Sequence, residues 1–377
     1  MKPKLMFVVN TDKFFMSHRL PIALAALQQN FEVHVAAALT NSIGEMQGLG
    51  LVVHPLSLDR RSTGVLSNGR TFFQILRVFM RVKPDVVHLV TIKPVLLGGL
   101  AARLAGVRCA VAAISGLGFV FLSHDIIAGV RRWLVGWLYR LALGHNNLKV
   151  IFQNEDDRTS LVRLINLSRV KTALIRGSGV DLDEYPVSPL PEGPSVVMLA
   201  ARLLVDKGVR EFVEAARLLR EHGNNARFVL VGNPDPGNPA TITNGELRQW
   251  LAKGVVEHWG HRNDMPCVLA QSHIVVLPSY REGLPKILVE AAASGRTVVT
   301  TNVPGCRDAI EANKTGFLVP LRDADALVKA ISSLLTDRSL CEEMGRAGRE
   351  LAERTFDVTQ VVKQHLHIYD ELLQKAS

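Results

Sequence analysis

A chain of 377 residues with 47% apolar and 21% charged residues is long enough for two domains and an ample core, which excludes a disordered, collagenous or disulfide-scaffold protein. The net charge of +9 is lopsided, with 22 Lys and Arg against 12 Asp and Glu in residues 1–185 and near balance beyond. A basic half points to an anionic partner: nucleic acid, anionic lipid or a phosphorylated substrate.

The chain opens with Lys2, Lys4 and the short apolar run 5–9, which lacks the apolar block and cleavage site of a signal peptide. Strands are expected at 5–10, 31–38, 85–90, 109–115 and 149–153. Helical stretches fall between them at 17–29, 68–82 and 96–105. The longest uncharged run near the middle, 109–124, has 16 residues and contains Gly116 and Gly118. A spanning helix needs about 20 apolar residues, so no transmembrane segment is expected. Cys109, Cys267, Cys306 and Cys341 stand far apart with no CxxC pair, which argues against a zinc site and fits a reducing compartment. Prolines 186, 189, 191 and 194 cluster in 185–195 and read as a stiff linker. The strand–helix rhythm restarts at 195–200, 228–231, 255–259, 274–277 and 297–301, and 357–375 reads as a terminal helix. Near-continuous apolar strands separated by helices imply two doubly wound α/β domains, 1–185 and 186–356, with the helix of 357–377 joining the first. Ligands of such sheets bind at the carboxyl ends of the strands.

Two constellations carry chemistry. In Glu282-Gly-Leu-Pro-Lys-Ile-Leu-Val-Glu290, Glu282 precedes a helix started by Pro285, and Glu290 lies about one and a half turns further in. A helix start favours a phosphate, and carboxylates accept hydrogen bonds from sugar hydroxyls. Taken alone, two such glutamates are as well explained by a loop and a solvated helix face. Arg202 and Lys207 follow the strand at 195–200, a forked and a point-charge grip on phosphate.

Together with Val229-Leu-Val-Gly232, Trp259-Gly-His-Arg262, Leu277-Pro-Ser279 and Thr315-Gly-Phe-Leu-Val319, these residues resemble the nucleotide-sugar domain of the retaining glycosyltransferases of family 4. That resemblance implies the GT-B fold, two facing Rossmann-like doubly wound domains with a cleft between them. It implies that Arg202 and Lys207 hold the donor diphosphate and that Glu290 binds the ribose. Glu282, with the backbone of Gly283 and Leu284, would hold the donor sugar, and Gly260 and Arg262 would lie by the base. No metal cofactor is implied, the cations taking its place. In the first half, Asp85-Val-Val-His88-Leu-Val-Thr-Ile-Lys93-Pro94 and Ile114-Ser-Gly116-Leu-Gly118-Phe119 are similar to bacterial glycan-assembly enzymes that use polyprenyl-diphosphate carriers. His88 is expected near a strand end beside the transferring sugar; a strand histidine otherwise serves as a hydrogen-bonded structural residue. Lys13, His18, Lys93, Gly116 and Gly118 are acceptor-side candidates. The Gly-Gly pair common after the family's first strand is replaced here by Asn10-Thr-Asp-Lys13.

Arg70, Arg77 and Arg81 share one helical face beside phenylalanines, and 126–143 interleaves Arg131, Arg132 and Arg140 with Trp133, Trp137 and Tyr139. Basic residues beside aromatic ones suit an anionic bilayer surface, although a solvated face of an ordinary helix has the same pattern. The sequence therefore leads to a retaining hexosyl- or N-acetylhexosaminyltransferase. It would use a UDP-sugar and a lipid-linked acceptor, lying peripherally on the cytoplasmic face of the membrane. A transferase with a soluble acceptor is the alternative. A nucleotide-sugar epimerase and an NAD oxidoreductase fit less well, the latter because no GxGxxG follows the first strand. A nucleic-acid-binding role is disfavoured because it leaves Glu282 and Glu290 unexplained.

Overall fold

The computed structural model describes residues 2–58, 64–117 and 126–376. The chain divides into two compact units, Met1–Ser178 with Thr359–Ser377, and Gly179–Val358.

The first unit is built on seven parallel strands: β1 (Lys4–Thr11), β2 (Glu32–Ala38), β3 (Val52–Pro55), β4 (Val86–Val90), β5 (Cys109–Ile114), β6 (Leu148–Phe152) and β7 (Thr172–Leu174). Their order in the sheet is β3-β2-β1-β4-β5-β6-β7, so the direction of winding reverses between β1 and β4. Period-two alternation sorts the strand residues onto two faces. Leu5, Phe7 and Val9 pack beneath the helices Leu20–Gln28 and Val358–Ala376, whereas Met6 and Val8 pack beneath Val65–Val82 and Ile126–Ala142. The single helix expected at 17–29 is broken into Asp12–His18 and Leu20–Gln28. Pro21 is the cause, since its ring cannot be accommodated in the interior of a continuous helix.

The second unit has six parallel strands: β8 (Val196–Ala200), β9 (Arg227–Val231), β10 (Glu257–Gly260), β11 (Ile274–Leu277), β12 (Thr297–Thr301) and β13 (Gly316–Val319). Their order is β10-β9-β8-β11-β12-β13, reversing between β8 and β11. The sequence missed β3, β7 and β13, which are short and lie at sheet edges, where burial imposes little pattern.

The division at Gly179 falls before the proline-rich segment, which packs within the second unit rather than spacing two units apart. Arg296, almost fully buried, donates from Nη1 to the Ser188 carbonyl at 2.7 Å, and Arg338 donates to that of Leu190 at 3.0 Å. Guanidinium donors thus meet the free carbonyls of the proline-rich segment and hold it to the second unit.

Candidate active site

The carboxyl ends of β8 and β11 carry a group of charged side chains, Arg202, Asp206, Lys207 and Glu282. After β8 the chain makes a tight turn at Val205–Lys207 and then enters the helix Val209–Glu221 through Gly208. Gly208 has φ +71°, and a Cβ there would stand 2.2 Å from the Pro278 carbonyl oxygen. Only glycine permits both the left-handed backbone and this approach to the end of β11. The approach places Lys207 on Glu282. Lys207 Nζ pairs with Glu282 Oε1, and Ser279 Oγ donates to the same oxygen at 2.7 Å. Tyr280 N donates to the Asp206 carbonyl at 2.8 Å, with Ser279 Oγ 3.1 Å from the same oxygen, closing the two loops on each other. Burial and the nearby Glu282 push the Asp206 carboxyl up, while Lys207 and Arg202 oppose that shift.

Gly305 supports the same loop from the end of β12. Its φ is +81°, and a Cβ would meet the Glu282 and Gly283 carbonyl oxygens at 2.5 and 2.6 Å. Pro285 sits one position earlier than expected, as the N-cap of the helix Lys286–Ala293, and no side chain caps either this start or that of Val209–Glu221. Two helix starts thus present backbone N–H groups at one sheet end, the electrostatics an anion requires.

Glu290 is only 5% exposed and accepts from Tyr185 Oη at 2.7 Å and Lys286 Nζ at 3.1 Å. Arg202 is half-exposed and holds Asp235 at 2.6 Å. Gly260 ends β10 with φ +67°, and its carbonyl accepts from Gly232 N at 2.7 Å. Arg262 forms an exposed pair with Asp264 at 2.8 Å, which holds the Asp264 carboxyl down to about 2. Gly283 and Leu284 are buried in the loop that Gly305 supports. Lys207, Glu282, Gly283 and Leu284 therefore gather after β8 and β11, Arg202 and Arg262 follow the ends of β8 and β10, and Glu290 lies within the helix Lys286–Ala293. Among the described residues, no three His, Cys, Asp or Glu side chains are arranged to hold a metal ion.

The first unit corrects one expectation. His88 lies in the middle of β4, not at its end, and is fully buried. Its Nδ1 shares a 2.6 Å hydrogen bond with Tyr369 Oη, and its ring packs on Phe7 and His365. The C-terminal helix covers this face of β4, so the imidazole is a core group rather than one presented to a sugar. Burial, then His365 and Arg19, hold the His88 pKa well below its ordinary value. Burial and Arg19 likewise lower His365 to about 3. Arg19 itself is almost wholly buried, and its Nη1 donates to the His18 carbonyl at 3.1 Å; nothing in the residue pattern signals this burial.

Of the acceptor-side candidates, Lys13 is exposed on the helix Asp12–His18, whereas Lys93 and Gly116 follow the ends of β4 and β5. His18 stacks on Phe14 at 4.2 Å at the far end of its helix. Gly118 lies outside the described residues, as do the side chains of Arg131 and Arg132. Two further polar groups sit at the reversal point. Among the described residues Asn10 Oδ1 and Thr91 Oγ1 are buried without a hydrogen-bond partner, and Thr91 has φ +75°. A β-branched residue in that region is strained, and such strain concentrates at functional positions. Asp12, fully buried, ties this edge to the next loop by accepting from Thr40 N at 2.7 Å and Ser42 N at 3.2 Å.

The buried histidines make stability pH-dependent. Both are neutral in the native protein, whereas the unfolded chain takes up protons below about pH 6.5. Stability is therefore full above that value and falls as pH drops towards the folded pKa values, by about 2–3 kcal/mol per pH unit for two protons. Urea unfolding at pH 7 and pH 5 should show this loss, with a shallower dependence in His365→Leu. Equal stability at both pH values would remove the buried neutral pair from the account.

No helix among the described residues is long and apolar enough to cross a membrane. On Val65–Val82, Leu66, Phe73 and Met80 recur every seven residues and are exposed, with Arg70, Arg77 and Arg81 also exposed. Trp133 and Trp137 are exposed on Ile126–Ala142.

Comparison with known proteins gives this geometry a family. Residues 4–154 match the model for glycosyl transferase 4-like domains, and residues 194–337 match that for glycosyl transferases group 1. The chain is 28% identical to the Campylobacter jejuni N,N'-diacetylbacillosaminyl-diphospho-undecaprenol alpha-1,3-N-acetylgalactosaminyltransferase, over 96% of this chain and 98% of that one. It is 25% identical to an Escherichia coli UDP-Gal:alpha-D-GlcNAc-diphosphoundecaprenol alpha-1,3-galactosyltransferase, over 83% and 82% of the two chains. Anabaena HepE, solved in complex with UDP, superposes with a TM-score of 0.78 at 18% identity, covering 98% of this chain and all of that one (100%). With its 4-like first half and its group 1 second half, each on a parallel doubly wound sheet, the chain belongs to the GT-B glycosyltransferases.

Proposed function

We propose that the chain moves a hexose or N-acetylhexosamine from a UDP-sugar to a glycan on a polyprenyl diphosphate, with retention at the anomeric carbon. The observation that carries this reading is the joining of Lys207, Ser279 and Glu282 at two uncapped helix starts. Breaking the donor's glycosidic bond leaves the electron pair on the diphosphate. Lys207, Arg202 and the helix N–H groups stabilise the charge that develops there, and they are held in place beforehand by Glu282 and Asp235. The acceptor hydroxyl attacks the same face of the sugar and passes its proton to the departing diphosphate, so no separate general base is assigned. The cationic side chains supply the charge, and the reading includes no metal. Glu282 with the Gly283–Leu284 backbone holds the sugar, Glu290 the ribose, and Gly260 and Arg262 border the base. Lys13, Lys93 and Gly116, with Asn10 and Thr91, mark the acceptor side of the first unit. His88 takes no part in the chemistry.

The named acceptors of the Campylobacter and Escherichia relatives, the UDP-Gal donor of the latter, and the UDP bound by HepE support this choice. The exposed Leu66, Phe73 and Met80 beside Arg70, Arg77 and Arg81 would rest on the anionic, cytoplasmic surface of the membrane, where a lipid-linked acceptor lies. The test supplies UDP-hexoses and a polyprenyl-diphosphate-linked sugar in anionic vesicles and follows UDP release. Release should require the acceptor and weaken at high salt. Release supported only by soluble sugars would favour the soluble-acceptor alternative.

A further inference from the structure

We infer that Tyr185 is a positioning residue that sets the Glu290 carboxylate to read a vicinal diol of the bound nucleotide. The inference rests on the donor reading above and deepens it, adding a residue that the sequence places in a linker.

Glu290 is buried, and its two donors converge on one oxygen. Tyr185 Oη lies 2.7 Å and Lys286 Nζ 3.1 Å from Oε1. Among the described residues no hydrogen bond reaches Oε2. An ionised carboxylate only accepts, so a ligand satisfying Oε2 must bring hydrogen-bond donors, which the hydroxyls of a ribose supply.

The two donors differ in stiffness. Lys286 is a flexible, half-exposed point charge one turn earlier on the same helix, and alone it leaves the carboxylate free to rotate. Tyr185 is 5% exposed and belongs to the same buried apolar cluster as Ala292 and Leu351. Its backbone is also clamped. Arg349 Nη1 donates to the Tyr185 carbonyl at 2.8 Å and to that of Ala293 at 2.9 Å. Ala293 is the last residue of the helix that carries Glu290. The guanidinium thus staples the segment bearing the hydroxyl to the helix bearing the carboxylate. Burial, and then Glu290, push the phenol pKa up, so the hydroxyl remains a donor throughout the working pH range.

The test compares UDP with 2′,3′-dideoxy-UDP by calorimetric titration. The wild-type chain should prefer UDP. In Tyr185→Phe, which keeps the ring, UDP affinity should fall about tenfold while dideoxy-UDP affinity holds, so the preference collapses. In Glu290→Gln the preference should already be small, and adding Tyr185→Phe should change it little further. That coupling separates positioning from a general loss of packing, which would weaken both ligands alike. An unchanged preference in Tyr185→Phe overturns the inference. So does a wild type that binds UDP and dideoxy-UDP equally, an outcome that leaves the donor reading standing. Failure to bind either nucleotide removes both.

Discussion

Lys207→Ala is expected to lower kcat/KM for sugar transfer about 10²–10³-fold, the usual effect of deleting one group that meets transition-state charge. The loss should fall mostly on kcat, because the charge that Lys207 meets grows as the glycosidic bond breaks. The substitution also strips Glu282 of its ion-pair partner, leaving Ser279 as the remaining donor to Oε1. Lys207→Arg keeps the charge, but a planar fork is a poor substitute for a point charge on one carboxylate oxygen, and only partial recovery is expected. Steady-state kinetics with the lipid-linked acceptor reads both variants. A Lys207→Ala enzyme with wild-type kcat would remove this side chain from the chemistry.

Gly305→Ala should be a severely damaging single-methyl change at the site. The added carbon would lie 2.5 Å from the Glu282 carbonyl oxygen and 2.6 Å from that of Gly283, and φ at this position is +81°. Neither obstacle is the end of a flexible side chain; both are the backbone of the loop that starts the helix Lys286–Ala293. Relief requires that loop to move, carrying Glu282 away from Lys207 and Ser279. The strain costs about 1–3 kcal/mol. A shift of about 1 Å at the reacting centre is worth about 10²-fold in rate. The variant should therefore fold with a lowered Tm and transfer sugar about 10²-fold more slowly. Thermal melts together with initial rates distinguish this from simple unfolding, since activity should stay low well below the new Tm. Undiminished turnover would mean that the loop tolerates displacement and that the Glu282 geometry is not critical.

The strands were readable wherever burial on both faces forces an unbroken apolar run, as in Val86–Val90 and Ile274–Leu277. Short edge strands such as Thr172–Leu174 carry no such run. The candidate site in the second unit was legible to the extent that Lys207 and Glu282, both expected from the family resemblance, meet in the fold. What the sequence could not provide was the identity of the covering element. His88 alternates correctly within β4, but whether it meets solvent depends on Tyr369, 281 positions further along the chain. Tyr185 read as linker for the same reason, since its partner Glu290 lies 105 positions away. Arg19 resembled any solvated arginine after a histidine, and Gly305 any turn glycine. Their importance comes from backbone and side chains brought close only by folding.

The central claim is that Lys207 and Arg202, with two helix starts, hold a nucleoside diphosphate in the second unit. Calorimetric titration of UDP into the wild-type chain and the Lys207→Ala/Arg202→Ala pair tests it most directly. The account predicts one saturable site in the wild type, with affinity falling at least tenfold in the double variant. Equal binding by both proteins, or none by the wild type, would contradict it.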